Sequence, residues 1–264
     1  MKKQLYKNNF ILIILSAAMM GITQFPFSFN VGFIAWFSLI PIIFVFKKID
    51  SFKKIVGFSF LWGFIYHIIT IFWLSQNIGT SKLVAFISMI AAVLVLSCNT
   101  IIIFSIWAHI KKKYDSLDIF ILPFVWVSIE YLRSYGILGF PWINLANTQL
   151  DFYYLIQNAE YLGTYGISFW VVLINVLFYE ILFVKKLAKN YLLLTFISPF
   201  IFGYFILNSI ELKNIDNHKV AIIQPNVNLF TKRDFLNRDK NLDNLIDISN
   251  SQINDSLDLI IWPE

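Results

Sequence analysis

A chain of 264 residues that is 58% hydrophobic, 18% aromatic and only 14% charged is not an ordinary soluble domain, which carries roughly 45–50% apolar and about 25% charged residues. Its formal charge of +5 points to membrane-flanking loops rather than to nucleic acid, because the lysines stand in short clusters between apolar runs. The single cysteine, Cys98, excludes an intrachain disulfide and a cysteine-based zinc site, and the mean hydropathy of +0.68 is that of an integral membrane protein.

A spanning helix takes about 20 mostly apolar residues, with a range of roughly 17–25. Seven stretches fit: about 9–24, 29–46, 55–76, 83–108, 118–135, 160–184 and 190–208. The first follows Lys2, Lys3 and Lys7 and has small residues at Ser16–Ala18, so it shares features with a signal peptide. Six further apolar stretches favour a retained helix.

Thirteen lysines, among them Lys47, Lys48, Lys53, Lys54, Lys111–Lys113, Lys185, Lys186 and Lys189, fall on one side of the alternating spans; Lys82 and Arg133 fall on the other. The positive-inside rule therefore puts the amino terminus in the cytoplasm and residues 209–264 outside it. Ser134 to Ala159 holds Gly136, Gly139, Pro141, Trp142, Tyr153 and Tyr154. Helix breakers mixed with interfacial aromatics predict a loop lying in or dipping into the outer leaflet.

Within the spans, Glu130 and Arg133 sit three apart, where helical neighbours can pair. They read as an ion pair tying the helix to the following loop, with substrate contact as the functional alternative. Trp142 and Tyr154 are the aromatic candidates for substrate contact. His67 reads as a packing contact, since no second metal ligand stands at helical spacing. Glu160 suits the start of a helix, and Glu180 is expected to snorkel toward Lys185 and Lys186. Cys98 is expected to be a buried, inert thiol. At 1.5 Å per residue it lies roughly 20 Å below the outer surface, out of reach of any group outside the membrane.

After the last span, residues 209–218 read as a linker. Lys219–Gln224 reads as a strand, residues 235–254 as a helix, and Leu259–Trp262 as a second strand buried on both faces. That order predicts a right-handed crossover of an α/β unit. Pro263 ends the strand and Glu264 stands at its carboxyl end, where α/β folds place their chemistry. The chain stops at this candidate catalytic carboxylate, so it is expected to be the front part of a longer protein.

Five stretches in order, Phe25-Pro26-Phe27, Gly57-Phe58 through Trp73, Glu130-Tyr131-Leu132-Arg133 with Gly139-Phe140-Pro141-Trp142, Ile223-Gln224-Pro225-Asn226, and Ile261-Trp262-Pro263-Glu264, together resemble the apolipoprotein N-acyltransferase family of bacterial inner-membrane enzymes. The resemblance implies a polytopic α-helical bundle of about seven transmembrane helices over residues 1–208, a linker at 209–218, and at 219–264 the truncated start of a periplasmic α/β nitrilase-like αββα domain. It implies a Glu-Lys-Cys triad in which Glu264 is the general base. The lysine and cysteine would follow position 264, so this chain alone is expected to be inactive. Arg233 stands where the family has an aromatic and receives no role.

The activity implied is transfer of an acyl chain from a phospholipid donor, through a thioester, to the amino-terminal diacylglyceryl-cysteine of an apolipoprotein acceptor. No cofactor, metal or nucleic acid enters it; membrane lipid is the other partner. The rival readings are a polytopic transporter, which predicts ionisable groups or broken helices at the midplane, and a non-catalytic truncated remnant. The topology is testable with Asn217→Cys in a Cys98→Ser background. The new thiol is expected to react with an impermeant reagent in intact spheroplasts, and labelling only after lysis would contradict the assigned crossings.

Overall fold

The structure is a computed structural model that describes residues 2–24, 30–114, 118–136, 139–184, 189–210, 218–227, 238–252 and 257–262. The apolar runs are helical, since backbone groups in hydrocarbon must find partners within their own segment. The helices are α1 (Lys2–Ile22), α2 (Ala35–Ser38), α3 (Ile40–Lys47), α4 (Phe52–Ile71), α5 (Lys82–Lys113), α6 (Asp118–Arg133), α7 (Tyr153–Ile156), α8 (Ala159–Tyr179) and α9 (Lys189–Asn208). Short 3-10 turns extend α4 to Gln76 and precede α2 at Gly32–Ile34, and a π turn carries α8 on to Val184.

Among the described residues, four helices are long and apolar enough to cross a membrane by length and composition: Phe52–Gln76, Lys82–Lys113, Ala159–Val184 and Lys189–Asn208. Asn8–Ile22 and Gly32–Lys47 are shorter apolar helices, and α6 has 16 residues. Each predicted stretch thus contains helix, while three hold helices shorter than an untilted crossing takes.

The second stretch is short because it is broken. In a continuous helix the Leu39 N–H would bond the Ala35 carbonyl, four residues back. Here the amide of Asn175, on α8, is inserted between them. Its Oδ1 accepts from Leu39 N at 2.8 Å, and its Nδ2 donates to Ala35 O at 2.7 Å. Insertion of a side chain into the helical ladder is a recognised cause of a break. Asn175 is fully buried, so α2 and α3 are fixed against α8 rather than hinged.

A second defect is handled in the same way. Pro199 lies inside α9 and has no N–H to offer the Thr195 carbonyl. The indole Nε1 of Trp170, on α8, donates to that carbonyl at 2.8 Å instead.

The core lies among α1, α3, α4, α5, α6 and α8. Trp62, Phe104 and Trp126 meet edge to face, with centroids 5.8–6.2 Å apart, the arrangement that ring quadrupoles favour. α4 and α5 approach closely where Gly63 faces Ser97 and Thr100. Thr100 Oγ1 donates across the interface to Ser59 O at 3.0 Å, as small residues allow in membrane bundles.

Cys98 departs from expectation. It is exposed on α5, its sulfur directed at the carbonyl of Leu94 on the same helix. The buried stripe of α5 runs through Val93, Leu96, Ser97 and Thr100, and the helical repeat turns position 98 outward from it.

The chain divides into two units, residues 1–77 with 82–210, and residues 78–81 with 211–264. In the second, β1 (Val220–Ile222) and β2 (Leu259–Ile261) pair in parallel, with Val220 opposite Leu259 and Ile222 opposite Ile261, and α10 (Arg238–Gln252) lies between them in sequence. The predicted strand, helix and strand are all present. Trp262 Nε1 donates to Ser249 Oγ on α10 at 2.8 Å. Burial of β2 on both faces is corrected. Leu259 and Ile261 are half exposed, because one face of the two-stranded sheet has no layer over it among the described residues.

Candidate functional site

Buried polar residues gather at the end of α6 and in the loop that follows: Glu130, Asn144, Thr148 and Gln149. α6 stops at Arg133, Gly136 turns the chain at φ +81°, and Phe140 N returns to bond Arg133 O at 2.9 Å. Two 3-10 turns follow, Pro141–Ile143 and Leu145–Gln149. The predicted irregular loop is therefore a folded layer. Ile143, Leu145, Ala146, Thr148 and Gln149 are buried, while Trp142, Leu150 and Tyr153 remain exposed.

Glu130 holds this layer. Its carboxylate is 1% exposed, and Oε1 accepts from the Leu145 backbone N–H at 2.9 Å and from Trp126 Nε1 at 3.1 Å. Arg133 approaches the same oxygen at 4.0 Å and donates to Asn144 Oδ1 at 2.7 Å. The ion pair predicted to tie the helix to its loop is present, and the loop residues it reaches are Asn144 and Leu145. Ser168, on α8, receives the Ala146 N–H at 2.9 Å. Glu130 Oε2, Arg133 Nε and His67 Nδ1 are buried with no hydrogen-bond partner among the described residues.

Two further clamps carry no charge. Gln24 Nε2 donates to Tyr66 Oη at 2.9 Å and to Asn144 O at 3.3 Å, and Tyr66 Oη donates to Ile143 O at 3.2 Å. Gln149 takes the Trp36 indole N–H at 2.7 Å and donates to Gly32 O at 3.2 Å. Gly32 is required there, since a Cβ would overlap the Thr148 carbonyl.

The aromatic candidates stand at the edge of this layer. Trp142 is 63% exposed and stacks on Trp73 at 5.9 Å with an interplanar angle of 27°. With Thr70 and Ile143 the two indoles line a cavity of about 280 Å³. Tyr154 packs against Tyr204 of α9 at 5.8 Å. The layer thus joins Glu130, Arg133 and the turn bearing Trp142, whereas Tyr154 belongs to the α7–α9 contact. Glu264, Arg233, Lys185 and Lys186 lie outside the described residues. Glu180 is buried in the π turn, and Glu160 sits in the first turn of α8 as expected. Among the described residues, no group of three or more His, Cys, Asp or Glu side chains could hold a metal ion.

The family model for the apolipoprotein N-acyltransferase N-terminal domain matches residues 16–177, the stretch that contains α2 to α7, the Glu130–Arg133 pair and the loop it holds. The chain belongs to the apolipoprotein N-acyltransferase family. It is similar to the apolipoprotein N-acyltransferase of Chlorobaculum tepidum, 24% identical over 99% of this chain and 50% of that protein. It is also similar to apolipoprotein N-acyltransferase 1 of Treponema denticola, 26% identical over 97% and 48%, and to the Rickettsia prowazekii enzyme, 29% identical over 87% and 47%. The chain spans about half the length of these curated relatives.

Sequence reasoning singled out Glu130, Arg133, Trp142 and Tyr154 but not Gln24, Tyr66, Trp73 or Ser168. Gln24 stands at the end of an apolar run, a signal that was legible. Tyr66 and Ser168 are ordinary in composition, and their partners lie 77 and 22 residues away.

Removing one member of a buried pair leaves an uncompensated charge and typically costs about 3–5 kcal/mol. Arg133→Leu is therefore expected to lower the thermal midpoint in detergent and to speed proteolysis within residues 134–149. Glu130→Gln/Arg133→Leu, which removes both charges, is expected to recover part of the loss. A single variant as stable as the wild type would show that the pair does not hold the loop.

Proposed function

We propose that this chain forms the membrane bundle, and contributes the general base, of an enzyme that N-acylates the amino-terminal diacylglyceryl-cysteine of apolipoproteins with an acyl chain from a phospholipid. The observation that carries the reading is the match over residues 16–177, taken with a rigid polar layer that presents Trp142 beside a cavity. Both substrates are lipid-anchored, so a site at the membrane surface reaches them without extracting a chain.

In this proposal residues 1–208 are the transmembrane domain with seven crossings, and 209–218 are a linker. Residues 219–264 open a nitrilase-like domain on the periplasmic face of the bacterial inner membrane. Glu264, just after β2, accepts the proton of a cysteine thiol, raising the reactive thiolate fraction. The thiolate attacks the ester carbonyl of the phospholipid, forming a thioester and releasing a lysophospholipid that takes up the proton. The amine of the acceptor then attacks the thioester, an amide forms, and the thiol is restored. The family's lysine would stabilise the oxyanion of each tetrahedral intermediate.

Cys98 is not the nucleophile in this scheme. It sits in the middle of α5, an apolar helix of 32 residues that this reading places across the membrane. Trp142 supplies an aromatic wall for an acyl chain or glyceryl group, and Tyr154 a second contact beside α9. Glu130 and Arg133 act on substrate only by setting the position of the Trp142 turn.

Glu264→Gln in a protein of the relatives' full length keeps size and hydrogen bonding but removes the base. General-base catalysis contributes about 10²–10⁴-fold, so acyl-enzyme formation from labelled phospholipid is expected to fall by that order with membrane abundance unchanged. Normal thioester formation in the variant would make the carboxylate structural and remove this mechanism.

A further inference from the structure

A groove of about 440 Å³ runs between α8 and α9. On α8 its wall extends from Leu162 to Leu173, a rise of about 16 Å at 1.5 Å per residue. α9 contributes Thr195, Ser198, Pro199 and Phe202 to the facing wall. Both helices are long and apolar enough to cross a membrane, and α9 is the least buried of the four such spans among the described residues. Leu162 and Phe202 are exposed, so the groove opens on the bilayer. A break in α8 shapes its mouth. Gly163 has φ +64° and ψ 177°, a backbone region that is essentially glycine's alone, and the break folds Leu162 over Gly166, where a Cβ would overlap it. Across the mouth, the rings of Tyr161 and Phe202 stand 5.6 Å apart. Deeper in, Asn158 Nδ2 donates to Pro199 O and Trp170 Nε1 to Thr195 O, both at 2.8 Å. These wall donors are engaged within the protein, and the surface they leave for an occupant is mostly hydrocarbon.

Size decides between occupants. Spread over its length, the volume gives a mean cross-section of about 27 Å², whereas a helix 10–12 Å across with its side chains needs roughly 80–110 Å². The groove therefore admits a single hydrocarbon chain and not a helix of a partner or a second copy. Its length is that of one leaflet, half of a hydrocarbon core about 30 Å thick, and Leu173 stands near the middle of the Ala159–Val184 span. We propose that the groove holds one acyl chain of a membrane phospholipid as a resident lipid, with the headgroup at the Gly163 break and the chain end near Leu173. Tyr161 and Thr164, both exposed, bring hydroxyls to the headgroup end, where tyrosine is favoured. Lipid tails are as apolar as the wall, so the chain is held by dispersion contacts that an ill-fitting neighbour would forfeit. The proposal does not rest on the acyl-transfer reading, since this lipid is held and not consumed.

Photolysis of the protein in nanodiscs containing phosphatidylcholine with a mid-chain diazirine, followed by peptide mapping, tests it. Label in the wild type is expected on Ile167–Leu173 and Ser198–Phe202, several-fold above the exposed face of α5 at Leu94, Val95 and Ile102. Ser198→Trp, which fills the groove, should remove that excess at unchanged helicity. Leu194→Trp, the same bulk on an exposed part of α9 that does not line the groove, should keep it. Wild-type mapping decides the matter even where Ser198→Trp fails to fold. Even labelling of α5, α8 and α9 would mean ordinary lipid solvation, and weaker label in the groove than on α5 would mean that protein covers it. An excess that survives Ser198→Trp would put the chain elsewhere, and an equal excess from a diazirine fatty acid at the same molar fraction would mean a free fatty acid. Each of these four results would overturn the proposal.

Discussion

The carboxylate of Glu130 is the constraint on which the rest of the first unit depends. Taking an ion out of water costs several kcal/mol even after relaxation, and Glu130 is 1% exposed. The charge is tolerable only while Leu145 N–H and Trp126 Nε1 donate to it and Arg133 lies nearby. One donor is a neighbour on α6, but Leu145 is 15 residues away across an irregular loop. The loop must therefore fold for the helix end to be stable, and the helix must be in place for the loop to have a shape. Irregular backbone at membrane depth survives only where protein or water satisfies it, and here protein supplies the partners.

The same logic recurs wherever the bundle departs from regular helix. The Asn175 amide occupies the gap between Leu39 N and Ala35 O, and the Trp170 indole satisfies the carbonyl that Pro199 frees. Each defect is closed by a side chain from α8, so α8 fixes both α2–α3 and α9. Such sites cannot be repaired by solvent in hydrocarbon, which makes them rigid rather than flexible. The same frame carries the turn on which the exposed Trp142 stacks on Trp73 and lines a cavity with it.

Much of this was legible in the residues. Unbroken apolar runs dictate helices, and Gly136 with Pro141 ends α6 where expected. The strand, helix and strand of residues 219–262 follow from turn residues and short β-branched runs. The spacing of Glu130 and Arg133 announced their pairing. Other features were hidden because they depend on partners distant in the chain. Nothing local says that Asn175 breaks a helix 136 residues earlier, or that Gln24 reaches Asn144. Cys98 was misplaced because a helix apolar on all sides gives no phase from which to read its buried stripe. The strand Leu259–Trp262 was read as buried from composition alone, whereas its exposure depends on which layers cover it.

The account stands most directly on the bond between the Glu130 carboxylate and the loop, and amide hydrogen exchange of the protein in detergent or nanodiscs reads that bond. Leu145 and Ala146 are expected to exchange slowly in the wild type, at rates closer to the helix cores than to an exposed loop. In Glu130→Ala both amides are expected to lose protection while α4 and α5 keep theirs. Fast exchange at Leu145 in the wild type, or protection that survives Glu130→Ala, would contradict the claim that this carboxylate builds the site.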